Sequence, residues 1–244
     1  MQQINEILDA KLVEWHKSQE KRNYLGASAI GDECLRKVQL QYMGKEPEVS
    51  AQHLRTFDIG HCLEDLVIQW LRIAGFYVIT RNEKGEQFGF STANGKLQGH
   101  VDGIIQGFPK KFVDAAGTSP TAPWLLEIKA MNNKSWNDTK KHEVLVSKPI
   151  YYAQVQLYMA YMAGAMERCL FVALNKDTSE LYFEVIAFDS EAAQKYSDRA
   201  VQVLKATKNN ELLPCVSGDP SFYLCKMCAF RNVCREQGCE QSHE

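Results

Sequence analysis

The chain has 244 residues, of which 45% are hydrophobic and 24% charged, with a formal net charge of −2. That is the size and composition of one large globular domain. No apolar run is long enough for a membrane span, and the start, Met1-Gln2-Gln3-Ile4-Asn5-Glu6, lacks the basic and apolar segments of a secretory signal. No membrane partner is therefore expected, and the expected location is cytoplasmic, or the host cytoplasm for a phage-encoded chain. A net charge of −2 is not that of a general nucleic-acid binder, although local patches matter more than the total.

Apolar residues at Ile4, Ile7, Leu8, Leu12, Val13 and Trp15 approximate helical spacing and predict a helix over 4–20. Ser28 as a cap and Gly44 as a stop predict a second helix to about residue 43, carrying Cys34, Arg36 and Lys37. A Pro/Glu/Ser loop precedes a long helix over 51–74, stopped by Gly75, on which His61, Glu64 and Asp65 lie one turn apart. Strands are expected at 76–81, 86–91, 96–106 and 124–129. The Pro/Gly-bearing stretch 107–123 reads as a loop of variable form, or one lying over the site. A helix over 150–164 has two stripes. One is Tyr151, Gln154, Tyr158 and Tyr161; the other is Ile150, Ala153, Leu157, Ala160 and Gly164. Strands at 169–175 and 181–188, a helix over 190–208 and a cysteine-rich tail complete the chain. This order predicts an α/β domain with a central mixed sheet flanked by helices.

Chemistry concentrates in three strings. In a strand, residues i and i+2 share a face, so Glu127 and Lys129 point the same way and Ile128 the opposite way. A carboxylate and an ammonium inside an apolar strand are expensive to bury without a purpose. Asp102, in the apolar run Val101 to Ile105, can bring a second carboxylate to the same place, which suits a hard divalent cation. The plain alternative is a structural Glu127–Lys129 salt bridge with Asp102 in an Asp-Gly turn. The third string, Gln154-x3-Tyr158, follows on the helix. From Lys129 to Lys148, Lys129, Lys134, Lys140, Lys141 and Lys148 face two acids, Asp138 and Glu143, with Trp136 and His142 interleaved. This is either a track for nucleic acid, in which Lys134, Trp136, Lys140 and Lys141 join Arg36, or a solvated helix face.

The order Asp102, then Glu127-Ile128-Lys129, then Gln154-x3-Tyr158, after Gly60-His61-Cys62-Leu63-Glu64, resembles the PD-(D/E)XK superfamily and its RecB-like exonucleases. The resemblance implies a restriction-endonuclease-like core. It implies His61, Asp102 and Glu127 as ligands of Mg²⁺ or Mn²⁺, with the Ile128 carbonyl assisting. It makes Lys129 the catalytic lysine, and Gln154 and Tyr158 the accessory motif. Cys34 with Cys225-x2-Cys228-x5-Cys234 is similar to the iron–sulfur branch, where one early and three late cysteines hold a [4Fe–4S] cluster that clips the termini together. On that reading residues 1–244 form one nuclease domain, with a helical part at 1–50 and a cysteine-rich part at 209–244. A local set of Cys225, Cys228, Cys234 and Cys239 would instead suit structural Zn²⁺. Disulfides are not expected; Cys62 and Cys169 read as buried hydrophobes, and Cys215 has no evident role.

The function so implied is a metal-dependent DNA exonuclease serving recombination or repair, phage DNA processing or CRISPR adaptation. Its substrate would be single-stranded or end-containing double-stranded DNA. With no G-x4-G-K-[ST] motif in the chain, unwinding would fall to a partner such as a helicase; a recombinase or CRISPR adaptation protein are the other partners implied. The rival readings are a non-catalytic nucleic-acid-binding adaptor that keeps the fold and the cluster, and a redox sensor whose output is cluster loss.

Overall fold

The computed structural model describes residues 2–109, 112, 122–162 and 166–238. Two eight-residue apolar runs, Trp124–Met131 (β6) and Arg168–Asn175 (β7), pair in parallel at its centre. Strands covered on both faces need such near-continuous apolar sequence. Leu181–Ala187 (β8) extends the sheet beyond β7, and Gly103–Gln106 (β5) then Tyr77–Ile79 (β2) extend it beyond β6, all antiparallel. The order is β2-β5-β6-β7-β8. A second sheet joins Leu25–Gly26 (β1), Leu97–His100 (β4) and Gly89–Thr92 (β3) in the order β1-β4-β3.

Period two divides β6 between two apolar layers. Trp124, Leu126 and Ile128 pack with Val67, Ile68 and Leu71 of the helix Ala51–Ile73 (α3). Leu125 and Met131 face the opposite layer, with Val155, Leu157 and Tyr158 of Pro149–Tyr161 (α5) and Ala200 and Val203 of Ser190–Lys208 (α6). The β6-to-β7 crossover, which a parallel pair requires, runs through Asn133–Ser147 (α4) and α5. Local chemistry sets these ends. The Ser50 side chain accepts from His53 N to cap α3, and Asp189 accepts from Glu191 N and Ala192 N to cap α6. Gly75 leaves α3 at φ +94°, where a side chain would be strained.

Most elements stand where the sequence predicts them. The N-terminal helix spans Gln2–Ser18 (α1) and meets α3 through an Asp9–Arg55 ion pair. Three differences matter. The expected strand 96–106 is two strands, β4 and β5, belonging to different sheets, and Asp102 lies at the break. The expected helix 28–43 starts only at Leu35 (α2, Leu35–Tyr42), after a 3-10 turn over Ala27–Ala29. Cys34 is its extended N-cap residue, held by a hydrogen bond from its N–H to Asp32 Oδ1. The lysine-rich run is a helix, α4, broken at Glu143 (φ 60°), where Val144 N donates to the Glu184 carboxylate at 3.0 Å.

The tail packs on α2. The buried Arg36 donates to Leu213 O and Gly238 O, at 2.5 and 2.8 Å. Gln39, also buried, donates to Glu211 O at 2.6 Å and accepts from Leu213 N at 2.8 Å. Two short helices, Tyr223–Lys226 (α7) and Arg231–Glu236 (α8), follow. Gly164 and Cys239 lie outside the described residues, as does most of the 107–123 loop.

Candidate active site

Glu127 stands at the centre, 0% exposed. Lys129 Nζ lies 2.5 Å from its Oε1, and Gln154 Nε2 donates to the same oxygen at 2.6 Å. Gln154 is steadied in turn by Tyr158, whose hydroxyl accepts from Nε2 at 3.0 Å. Gly99 lets this happen: a Cβ there would collide with the Tyr158 ring. The other oxygen of Glu127, Oε2, is buried and accepts no hydrogen bond among the described residues. Asp102 is tied to the strand bearing Glu127 through its Oδ2, which accepts from Ile128 N at 2.7 Å. Ile128 meets the site through this backbone group while its side chain sits in the α3 layer.

Glu64 completes the group, and the ligand set drawn from the sequence motif omits it. It lies three residues beyond His61 on one face of α3, and His61 Nδ1 is 3.2 Å from its Oε2. The His61 side chain is 79% exposed, against 22% for Glu64. Of the two, the carboxylate is the deeper group, and His61 reaches the site past it. The signal was the helical spacing of His61 and Glu64.

Three carboxylates face one ammonium here, leaving two negative charges in formal excess. The pKa directions follow. Burial pushes the Glu127 carboxyl up to about 8, with Asp102 and Glu64 adding to the rise and Lys129 opposing it. Asp102 is raised by burial, against the pull of Lys129 and the Ile128 N–H. Glu64 is raised by burial first and by the Asp102 charge second. Burial disfavours the Lys129 charge, but Glu127, Asp102 and Glu64 outweigh it and hold Lys129 protonated beyond the ordinary lysine range. No group of three or more His, Cys, Asp or Glu among the described residues is arranged as a finished metal site. The donor set nonetheless fits a hard cation: carboxylate oxygens, an excess of two negative charges and an orphaned buried Oε2.

A pH prediction follows from Glu127. Its folded pKa of about 8 exceeds the ordinary 4.5, so between those values the folded state holds a proton that the unfolded state has released. The resulting stability is present below pH 4.5 and is lost as pH rises through about 8. Lys129, also raised, adds stability that is lost only above the ordinary lysine range. In EDTA the thermal midpoint should fall from pH 5.5 to pH 8.5, and Glu127→Gln should flatten that fall. Mn²⁺ should raise the midpoint more at pH 8.5 than at 5.5, because there it displaces no proton. An EDTA profile identical in wild type and Glu127→Gln would contradict the raised carboxyl.

Other predicted residues fall elsewhere. Trp136 is 2% exposed and its indole donates to Ala173 O at 2.9 Å. Arg36 is 4% exposed and spent on the tail carbonyls. Neither presents a surface to nucleic acid, and both readings are corrected: an apolar helix face buries one, and tail docking consumes the other. Lys134, Lys140 and Lys141 are exposed, with Lys140 Nζ 4.7 Å from the Trp136 ring. Of the tyrosine stripe, Tyr151 lies 5.5 Å from Lys129 Nζ, while Tyr161 stacks on Phe90 and bonds Ser197. Cys169 is buried as expected; Cys62 is exposed, contrary to expectation.

Away from this site, Cys34, Cys215, Cys225, Cys228 and Cys234 line one cavity of about 400 Å³ between α2 and the tail. Cys215 is disulfide-bonded, against the expectation of none, and lies 3.7 Å (Sγ to Sγ) from Cys234. The thiols of Cys34, Cys225, Cys228 and Cys234 are free. Arg231, also lining the cavity, has a buried Nε without a hydrogen-bond partner among the described residues.

No protein-family model matches the chain, and no curated protein matches it significantly. Solved structures do. The alkaline exonuclease LHK-Exo from Laribacter hongkongensis superposes with a TM-score of 0.52 at 17% identity, over 78% of this chain and 90% of that one. The same enzyme in complex with dAMP gives 0.52 at 16%, over 77% and 89%. The protein SSO0001 gives 0.53 at 18%, over 96% and 97%. At these identities the likeness is one of fold: a mixed α/β architecture similar to that of an exonuclease.

Proposed function

We propose that this chain is a DNA exonuclease of the PD-(D/E)XK superfamily that hydrolyses phosphodiester bonds with Mg²⁺ or Mn²⁺. The observation that carries the reading is the orphaned Oε2 of buried Glu127, set among Asp102, Glu64 and Lys129. An exonuclease fold around it adds support. Asp102, Glu127 and Glu64 would hold the cation, with His61 at the outer edge. When bound, it would lower the pKa of an attacking water and polarise the phosphate. Lys129, held protonated, would face the charge that grows on the phosphate oxygens. Gln154 fixes the rotamer of Glu127 by donating to Oε1, and Tyr158 fixes Gln154. Removal of end-labelled nucleotides should need Mg²⁺ or Mn²⁺, stop in EDTA, and fail with Ca²⁺, whose looser coordination aligns the reactants poorly. Robust cleavage in EDTA would sink the reading.

Glu64 against His61 gives a sharper test. Glu64→Gln should weaken Mn²⁺ binding, read by calorimetry, about tenfold or more, at least the scale seen for a lost outer-shell partner. His61→Ala should weaken it less, because its ring is largely in solvent. The reverse ranking would return the ligand role to His61.

We further propose a [4Fe–4S] cluster at the cysteine cavity. Cys34, Cys225, Cys228 and Cys234 would hold it. Three features support iron–sulfur over zinc: four free thiols that include Cys34, a cavity of about 400 Å³ where a single ion needs only close sulfurs, and the unpartnered Arg231 Nε suited to an anionic group.

A further inference from the structure

β4 ends on one exposed residue, His100, two positions before Asp102. Within β4 Leu97 and Gly99 are buried, Gly99 against the Tyr158 ring, whereas His100 is exposed. That spacing puts the His100 and Asp102 Cα atoms within about 7 Å of each other across the bend. On the far side of His100 stands Tyr24, its ring centroid 6.3 Å away at 57°. Beyond it the Arg22 guanidinium lies 5.0 Å over the Tyr24 ring. Gly26 makes room for that guanidinium, since a Cβ there would collide with it. Arg22 makes no ion pair among the described residues, and it borders a small cavity of about 70 Å³ shared with Tyr24, Gln41 and Tyr42.

We infer that Arg22, Tyr24 and His100 form a track that holds a single-stranded DNA end at the mouth of the active site. The inference rests on the nuclease reading above and names its substrate. Aromatic faces bind unstacked bases, whatever their sequence, for about 1–3 kcal/mol per base. A base inside a duplex has no free face to offer. The guanidinium, 5.0 Å over the Tyr24 ring, has donors to offer a backbone phosphate. The line Arg22–Tyr24–His100–Asp102 sets the order: phosphate anchor, base platform, then the carboxylate beside the scissile bond. Among the lysines of α4, by contrast, Trp136 is buried and the His142 ring is paired with Asp138.

The test is binding of a single-stranded oligonucleotide carrying a terminal 2-aminopurine, measured in EDTA so that nothing is cleaved. Wild-type protein and Lys129→Ala should both quench the probe. Tyr24→Ala and Arg22→Ala should weaken binding roughly five- to a hundred-fold, the span set by one lost base contact, and Tyr24→Phe should retain it. With metal, Tyr24→Ala should raise KM and leave kcat within about twofold. Unchanged affinity in folded Tyr24→Ala and Arg22→Ala overturns the track. So does a blunt duplex that binds as tightly as the single strand with equal sensitivity to Tyr24→Ala. Tyr24-dependent quenching without metal-dependent cleavage would keep the track and sink the nuclease reading. Cleavage without Tyr24-dependent binding would do the opposite.

Discussion

Lys129→Ala should reduce cleavage by a factor on the order of 10²–10³ or more, the scale of one lost oxyanion-stabilising donor, while affinity for DNA changes by less than tenfold. The ammonium is surrounded by Glu127, Asp102 and Glu64, which hold it charged well past the ordinary lysine range. With 19% of its side chain exposed, it contributes little to attraction of DNA at a distance. Its charge becomes useful when negative charge accumulates at the phosphate, so its loss falls on kcat. The truncation also strips Glu127 of its counter-charge. Breaking a buried pair costs about 3–5 kcal/mol when the remaining charge cannot neutralise, but a carboxyl already pushed up to about 8 neutralises by taking a proton. Stability at pH 7 should therefore fall by less than that. Lys129→Met, which keeps the apolar stem, should fold as wild type and remain inactive. A loss of affinity in proportion to the loss of rate, with turnover of bound DNA unchanged, would make Lys129 a phosphate clamp.

The site was legible in the sequence because its geometry is that of one strand. Alternation alone places Glu127 and Lys129 on the α5 side of β6 and Ile128 in the α3 layer. Helical spacing likewise brings Gln154 and Tyr158 to the same carboxylate. What escaped is what depends on packing between distant segments. Nothing local shows that 96–106 splits between two sheets around Asp102, because both halves have strand character. Burial of Trp136 depends on α4 lying over β7, where Ala173 O accepts a hydrogen bond from its indole N–H. Arg36 reads as a surface cation until Leu213 and Gly238, far along the chain, supply its acceptors. Glu64 is the instructive miss. The motif supplies the histidine, but the carboxylate one turn away is the deeper of the two groups.

The cysteine cavity carries the other large expected effect. Anaerobically purified protein should be brown, with the broad visible absorbance of a four-thiolate iron cluster. Cys34→Ala should bleach it, and Cys239→Ala should not. The structure adds two refinements. Cys215, which lines the same cavity but is disulfide-bonded, falls outside the four free thiols, so Cys215→Ser should keep the colour. The tail also has ties that need no metal, because Arg36 and Gln39 bind the backbone at Glu211, Leu213 and Gly238. Four-ligand metal sites are worth on the order of 10 kcal/mol of folding free energy where the apo chain is unfolded. With these ties in place, Cys34→Ala should cost well below that and still unfold in a single transition. Adding Arg36→Ala should remove two of these ties, leaving the buried Leu213 carbonyl without its donor, and open the tail to limited proteolysis. If colourless protein instead carries one zinc that survives Cys34→Ala and is lost with Cys239→Ala, then Cys225, Cys228, Cys234 and Cys239 form a local zinc site. The nuclease assignment would then stand on Asp102, Glu127 and Lys129 alone.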